Sequence, residues 1–163
     1  MSAERTGWTT GTCAAAAAKA ATWLLCHNQT LDSVDIALPD GQTARLAIAF
    51  VRATADGATA GVVKDAGDDP DVTNGSMVVV SVCWKPDGDV TFFAGDGVGT
   101  VTKPGLQIPP GEPAVNPAPR RMIRDAIRQV SPKPVAVTIS VPGGRALAAQ
   151  TFNPRLGIEG GLS

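Results

Sequence analysis

The stretch Ser33-Val34-Asp35-Ile36-Ala37-Leu38-Pro39-Asp40-Gly41-Gln42-Thr43-Ala44-Arg45-Leu46-Ala47 indicates how the sheet of this protein is built. Two short runs of strand-forming residues, 33–38 and 43–51, flank a Pro-Asp-Gly-Gln sequence suited to a hairpin turn. Neighbouring strands that are joined by so short a turn run antiparallel. The stretch therefore predicts a β-hairpin.

Two more turn sequences of this kind occur later in the chain, Pro86-Asp87-Gly88-Asp89 and Pro142-Gly143-Gly144. Each predicts a further hairpin. The paired runs are 77–84 with 90–93, and 135–141 with 145–152. Another strand is expected over residues 58–64. Together these segments predict a mostly antiparallel mixed sheet.

Two segments are predicted to be helical. Residues 12–26 are rich in alanine and follow Thr9-Thr10-Gly11, which offers hydroxyl caps, while residues 120–130 carry apolar side chains at helical spacing. The proline-rich residues 109–119 between them are expected to be extended, because proline does not fit a helix interior or a central strand. The fold class is therefore predicted as α+β, with both main helices packed mainly on one face of the sheet.

Composition limits the classes of function. The chain has 163 residues, 44% of them apolar, which is enough for one domain with its own core. A net charge of −1 without a basic block argues against a nucleic-acid surface. Three widely spaced cysteines do not form metal-ligand pairs and suit a reducing cytosol. We expect no metal site and no signal peptide, and since Lys19 interrupts the alanine run, we expect no membrane span and a cytoplasmic location.

The acidic turn, residues 61–73, crowds carboxylates around one lysine. Its charged and turn-forming residues are Lys64, Asp65, Gly67, Asp68, Asp69, Asp71 and Thr73. Like charges at this density are tolerated when they are solvated or when donors and cations meet them. The turn is accordingly either a solvated loop or a ligand or cation site.

Two other segments are candidates for binding. The N–H groups that follow Thr10 at the start of the first helix can hold an anion; the alternative is that Thr9, Thr10 and Thr12 serve only as caps. The glycine-rich loop 95–106 gives backbone N–H groups close access to a neighbour. Because both segments offer N–H groups that suit carboxylates, we expect them to converge with the acidic turn on one cleft.

Five segments, taken in order, resemble the CbiD family. They are Arg5-Thr6-Gly7-Trp8-Thr9-Thr10-Gly11-Thr12-Cys13-Ala14, Val63-Lys64-Asp65-Ala66-Gly67-Asp68-Asp69-Pro70-Asp71, Gly97-Val98-Gly99-Thr100-Val101-Thr102, the Pro/Gly segment through Asn116-Pro117, and Phe152-Asn153-Pro154-Arg155-Leu156-Gly157. The resemblance covers essentially the whole chain.

The resemblance implies methylation of C1 of cobalt-precorrin-5B to cobalt-precorrin-6A in anaerobic cobalamin biosynthesis. S-adenosylmethionine would be the methyl donor, and cobalt would enter only as part of the substrate. Positioning matters more than acid–base chemistry in such a transfer, so no catalytic residue is assigned. The candidate binding residues are Thr9, Thr10, Gly11, Thr12, Lys64, Asp65, Gly67, Asp68, Asp69, Asp71, Thr73, Gly97, Gly99, Thr100, Lys103, Asn116 and Arg120. Arginines, Lys103 and the helix start would hold substrate carboxylates, whereas the acidic turn suits ribose hydroxyls or the sulfonium.

Members of this family are about twice as long as this chain, which implies a second, α/β domain. We therefore expect residues 1–163 to be a single N-terminal domain that ends at the junction to a missing C-terminal domain. Alone it is expected to have little methyltransferase activity, and a second copy of the chain is among its candidate partners, as a homo-oligomer. Two alternatives remain: a corrinoid-precursor or adenosylmethionine binding module without turnover, and a structural oligomerisation domain.

Overall fold

The structure is a computed structural model, and it describes residues 7–65, 75–106, 108–144 and 158–159. Within them the chain forms two helices and nine strands. Their bounds are α1 Thr10–His27, β1 Ser33–Ala37, β2 Thr43–Ala47, β3 Phe50–Ala53, β4 Gly57–Val63, β5 Met77–Trp84, β6 Thr91–Ala94, β7 Thr100–Val101, α2 Pro117–Arg128, β8 Val135–Ser140 and β9 Ile158–Glu159.

The main sheet has five strands in the order β3-β4-β5-β8-β6. All its neighbours run antiparallel except β6 and β8, which are parallel. Strands β1 and β2 form a separate antiparallel hairpin, and β7 pairs with β9. The predicted α+β class with a mostly antiparallel mixed sheet is confirmed.

The two helices cover one face of the main sheet. Alternate residues of the three central strands form that face, for example Val80 of β5, whose register partners are Ala60 of β4 and Ile139 of β8, and all three are buried. Helix α1 packs on β4 and β5, and α2 packs beside α1. Ile123 of α2 lines the same cavity as Ile139, which places α2 on this face as well. The predicted one-sided arrangement is confirmed.

Helix α1 is the centre of the core. Its alanines at 14–18, 20 and 21 are all at most 2% exposed, so the helix backbone lies close to its neighbours on several sides. The helix begins two residues before its predicted start because Thr9 is the N-cap, and it ends where Asn28 takes a left-handed conformation, with φ of 53°. The Asn28 N–H then donates to the carbonyl of Leu24, which closes the last turn.

The predicted second hairpin is wrong. Strand β5 does not pair with β6, because β8 lies between them and is hydrogen-bonded to both. The N–H of Lys85, just after β5, donates to the carbonyl of Pro134, just before β8, at 3.0 Å. The turn at residues 86–89 reverses the chain, but β6 occupies the edge of the sheet.

The run 43–51 is not one strand. It breaks at residues 48 and 49 into β2, which belongs to the hairpin, and β3, which belongs to the main sheet. Backbone bonds mark the transfer, since the N–H of Ile48 donates to Asp32 and the N–H of Ala49 donates to Gly61, each at 2.8 Å. The first half of the run therefore belongs to the hairpin, and the second half belongs to the main sheet.

The prediction that residues 109–119 are extended is wrong at its end, because α2 already begins at Pro117. Proline is tolerated in the first helical turn, where its missing N–H has no partner to lose. The helix ends at Arg128, two residues before the predicted end. Of the third predicted hairpin, β8 is present, and residues 145–152 lie outside the described residues.

Candidate functional site

The start of α1 presents backbone donors. The Thr9 hydroxyl accepts from the N–H of Thr12 at 3.0 Å and lies 2.9 Å from the Thr12 hydroxyl, so these two threonines cap the helix. No described residue accepts from the N–H groups of Thr10 and Gly11. The first turn of α1 therefore keeps two backbone donors in addition to the positive end of the helix dipole.

Lys64 meets this helix start from the opposite side. Its side chain is only 5% exposed, and its Nζ donates to the Thr10 hydroxyl oxygen at 3.1 Å. A buried ammonium beside the positive end of a helix is stable only where negative groups compensate both charges. The ammonium of Lys64 and the positive end of the helix dipole thus lie side by side at the start of α1.

The base of the acidic turn is closed by three backbone bonds. The N–H of Lys64 donates to Ser76 and the N–H of Gly75 donates to Lys64, at 2.8 and 2.7 Å, so the turn connects β4 to β5. The N–H of Trp8 donates to the carbonyl of Asp65 at 2.7 Å. The beginning of the acidic turn is therefore tied to the segment that precedes α1. Its residues Gly67, Asp68, Asp69, Asp71 and Thr73 lie outside the described residues.

Cys13, in the first turn of α1, is not an activated nucleophile. Burial raises the pKa of its thiol to about 11, against a smaller opposing effect of the nearby Lys64 ammonium. At neutral pH the thiol is therefore protonated, and a thiol reacts only as its thiolate. The site gains no covalent chemistry from this cysteine.

A small apolar cavity of about 80 Å³ lies between the starts of the two helices. Thr10 and Gly11 of α1, Val98 of the glycine-rich loop and Asn116, the N-cap of α2, share its lining. The helices touch here, since a Cβ on Gly11 would lie 3.1 Å from the Cβ of Pro119. The helix start and the glycine-rich loop, represented by Thr10 and Val98, thus meet at this cavity together with Asn116. Lys64 reaches the same helix start through its hydrogen bond to Thr10, outside the cavity lining.

The glycine-rich loop is shaped by packing. Gly97 has φ of 79°, and a Cβ there would fall 1.8 Å from the carbonyl oxygen of Val141 after β8. The carbonyl of Gly99 accepts from the N–H of Ala114 at 2.8 Å, and Thr100 begins β7. Lys103 is exposed on the far part of the loop. The glycines at 97 and 99 therefore hold the loop against β8 and the proline-rich segment.

Arg120 fastens the proline-rich segment to α2. Its Nε donates to the carbonyl of Val115 at 2.6 Å, one terminal nitrogen donates to Pro113 at 3.0 Å, and the guanidinium lies 5.3 Å from the centre of the Phe92 ring. Asn116, which follows Val115, lines the same cavity as Thr10. Arg124 and Arg128 are instead directed at Asp89, at 3.4 and 2.6 Å.

Trp8 was not among the candidate residues, although it lies in the first segment of the family resemblance. Its ring is partly buried against the core, and with Asp65 it lines a cleft at the edge of the main sheet. The signals in the sequence are its place in that segment and its position directly before the capping threonine.

Among the described residues, no group of three or more His, Cys, Asp or Glu side chains is arranged to hold a metal ion. Nor does that part of the chain contain a helix long and apolar enough to cross a bilayer.

Comparisons with known proteins now assign the family. The family model CbiD matches residues 1–163. Two relatives named cobalt-precorrin-5B C(1)-methyltransferase are 52% identical, in Syntrophotalea carbinolica, and 55% identical, in a Bradyrhizobium species; the alignments cover 100% and 96% of this chain. The chain spans only 46% and 43% of these two relatives. A crystal structure of the cobalamin biosynthesis protein cbiD from Archaeoglobus fulgidus superposes with a TM-score of 0.76 at 32% identity, over 98% of this chain and 51% of that one. The chain belongs to the CbiD family.

Proposed function

We propose that this chain forms the N-terminal part of an enzyme that transfers a methyl group from S-adenosylmethionine to C1 of cobalt-precorrin-5B, giving cobalt-precorrin-6A. The observation that carries the proposal is the identity of 52 to 55%, along nearly the whole chain, with relatives that bear the name of this reaction. Because the chain spans less than half of each relative, we expect it to supply only part of the active site.

The reaction is a displacement at carbon. S-adenosylmethionine supplies a methyl group activated by the positive charge on sulfur; the bond from C1 to the methyl carbon forms as the bond from the methyl carbon to sulfur breaks, and sulfur keeps the electron pair. Such a step depends on alignment of the reacting atoms and exclusion of water. The protonated Cys13 thiol is consistent with a site that supplies no covalent nucleophile.

The contribution of this chain is to bind and orient. The backbone donors of Thr10 and Gly11, together with the Lys64 ammonium, favour carboxylates, and the corrinoid precursor carries several acetate and propionate groups. Asn116 borders the same small cavity with an exposed amide. We assign Arg120 a positioning role, because its hydrogen bonds are made to the proline-rich segment that ends at Asn116.

The test is a chimera in which these 163 residues replace the matched part of the Syntrophotalea carbinolica relative. Purified chimera, S-adenosylmethionine and cobalt-precorrin-5B should give a product heavier by one methyl group, followed by mass spectrometry. Lys64→Met should lower kcat/KM by about tenfold or more, since truncating a buried charge contact costs roughly 2 kcal/mol or more. Lys133→Met, at an exposed lysine, is the matched control and should leave the rate unchanged.

The 163-residue chain assayed alone should turn over far more slowly than the chimera, because residues that act as a unit lose most of their effect when part of the unit is removed. A folded chimera that binds both substrates and yields no C1-methylated product contradicts the proposal. Methylation by the isolated chain at the rate of the chimera contradicts the proposal that this chain supplies only part of the active site.

A further inference from the structure

A cleft of about 400 Å³ opens at the edge of the main sheet, on the side of the acidic turn. One wall is formed by Leu46, Ala47 and Ala49, the other by Val62, Val63 and Asp65, and Trp8 completes the lining. Its size falls near the lower end of the range for small-molecule sites, about 300 to 1,000 Å³. It is therefore large enough for part of a nucleoside-sized ligand.

The cleft results from the way the chain changes sheets. Strand β2 ends at Ala47 and β3 begins at Phe50, so β3 pairs with β4 only as far as Gly61. The end of β4 extends past this pairing. The segment before α1 supports it from another direction, through the backbone bond from the Trp8 N–H to Asp65. The cleft is the space between the end of β2, the end of β4 and the segment before α1.

The lining combines three chemical features. The Trp8 ring is partly buried against the core, and an indole face attracts cations. Asp65 adds an exposed carboxylate. Leu46 and Val62 are at most 2% exposed and provide aliphatic walls, while Val63, an apolar residue, is 49% exposed. An aromatic face, a carboxylate and aliphatic walls together suit a cation that carries apolar groups.

We propose that this cleft binds the sulfonium end of S-adenosylmethionine, with Trp8 facing the positive sulfur and Asp65 supplying the opposite charge. The inference rests on the proposed function and assigns the part of this chain that receives the methyl donor.

The test uses the 163-residue chain and two ligands that differ in charge. S-adenosylmethionine carries the sulfonium, whereas S-adenosylhomocysteine has the same adenosine and amino-acid groups with a neutral sulfur. The chain has three tryptophans, so a variant with Trp23→Phe and Trp84→Phe leaves Trp8 as the only fluorescent indole. We expect S-adenosylmethionine to quench this emission and to bind, by calorimetry, about 3- to 30-fold more tightly than S-adenosylhomocysteine.

Substitutions identify the groups responsible. Trp8→Leu and Asp65→Asn should each reduce the preference for the charged ligand towards equal binding while leaving S-adenosylhomocysteine affinity nearly unchanged, and Trp8→Phe should retain most of the preference because it keeps an aromatic face. Trp84→Leu is the matched control. Trp84 is also partly exposed, at 37%, and lies 5.4 Å from an ammonium, that of Lys133, but it is outside the cleft.

Three results overturn the inference: no binding of S-adenosylmethionine to the folded chain, equal binding of the two ligands by the unsubstituted chain, or an unchanged preference in Asp65→Asn. Thermal melting establishes whether each variant is folded. If Trp8→Leu does not fold, the binding preference of Asp65→Asn tests the inference. The proposed function is tested separately, because the chimera can retain charge-selective binding and still fail to methylate C1, or methylate C1 with a donor bound outside this cleft.

Discussion

The sequence Pro-Asp-Gly occurs twice, at residues 39–41 and 86–88, and the two copies have different consequences. Both glycines adopt nearly the same conformation, with φ of 88° at Gly41 and 91° at Gly88. The first turn joins strands that pair with each other, whereas the second joins β5 and β6, which are separated by β8. A turn sequence therefore specifies that the chain reverses, and other forces choose the neighbouring strand.

The strands that follow β5 differ in how many apolar side chains they bury. Strand β8 buries three apolar side chains, those of Val135, Val137 and Ile139, which are at most 4% exposed, whereas β6 buries Phe92, at 7% exposed, and leaves Phe93 49% exposed. The strand that buries more apolar side chains takes the interior position, because that position removes more apolar surface from water. Asp89, at the end of the second turn, is in addition held by Arg128 and Arg124 of α2.

The largest effect is expected in the strand that separates β5 from β6. Ile139→Ala should lower the free energy of unfolding by roughly 2 to 5 kcal/mol, because it removes buried methyl groups and leaves a cavity in the central strand. Phe93→Ala, on the edge strand, should change it by no more than about 0.5 kcal/mol, as is usual for exposed positions. Urea unfolding of both variants measures the difference. Equal losses would mean that burial does not select the central strand.

An intermediate and equal effect is expected at the two turn glycines. Gly41→Ala and Gly88→Ala place a Cβ on a left-handed residue, at a cost of roughly 1 to 2 kcal/mol each. A Cβ at Gly41 meets nothing within 4 Å, and one at Gly88 meets only the flexible end of Lys85 at 3.3 Å. Thermal or urea unfolding should therefore give similar losses. A clearly larger loss at Gly41 would indicate that the hairpin depends on its turn more than the β5–β6 connection does.

The smallest effect is expected for the ion pair of the second turn. The Arg128 guanidinium, the backbone N–H of Val90 and Arg124 lower the pKa of Asp89 below its usual value. Because the folded pKa is the lower one, this pair stabilises the fold above the ordinary pKa of aspartate and ceases to do so as the pH falls through the folded value. Asp89→Asn should cost less than about 1 kcal/mol at neutral pH, since the carboxylate is 61% exposed.

The contribution of the ion pair is measured as the difference in unfolding free energy between the unsubstituted chain and Asp89→Asn along a pH series. This difference should disappear in acid, where the carboxylate is protonated. In the first hairpin, the pKa of Asp35 is lowered by Arg45 in the same way, and Asp35→Asn is the matched comparison. A gap for Asp89→Asn that persists when the carboxylate is protonated would show that the charge pair is not what holds the second turn to α2.

Features that depend on nearby residues could be predicted from the sequence. The Thr9 cap, the Asn28 end of α1 and the hairpin of β1 and β2 each involve residues within a few positions of one another. The position of β8 could not be predicted in this way, since it depends on which of several apolar strands is buried best once α1 and α2 are in place.

The candidate site shows the same division. The capping threonines were recognised from local sequence, but the burial of Lys64 against Thr10 joins segments that are 54 positions apart. Arg120 is predicted to bind substrate because a guanidinium suits carboxylates, and this stays a prediction; the hydrogen bonds of Arg120 to two carbonyls of the preceding loop could not be predicted from the sequence. The position of Trp8 at the edge of the cleft could not be predicted, because it depends on the backbone bond to Asp65.

The interior position of β8 has a consequence for the chain while it is being made. Both strands that pair with β5 in the sheet are needed to cover its edges, and β4 precedes it whereas β8 begins about 50 residues after it ends, so one edge of β5 stays uncovered until β8 has been synthesised. At typical rates of 5 to 20 residues per second, this interval lasts roughly 3 to 10 s. An unpaired strand edge next to Val78, Val80 and Val82 is a template for association with other chains. The yield of soluble protein should therefore fall when translation is slowed between residues 85 and 140, and rise when a chaperone covers the nascent chain over that interval.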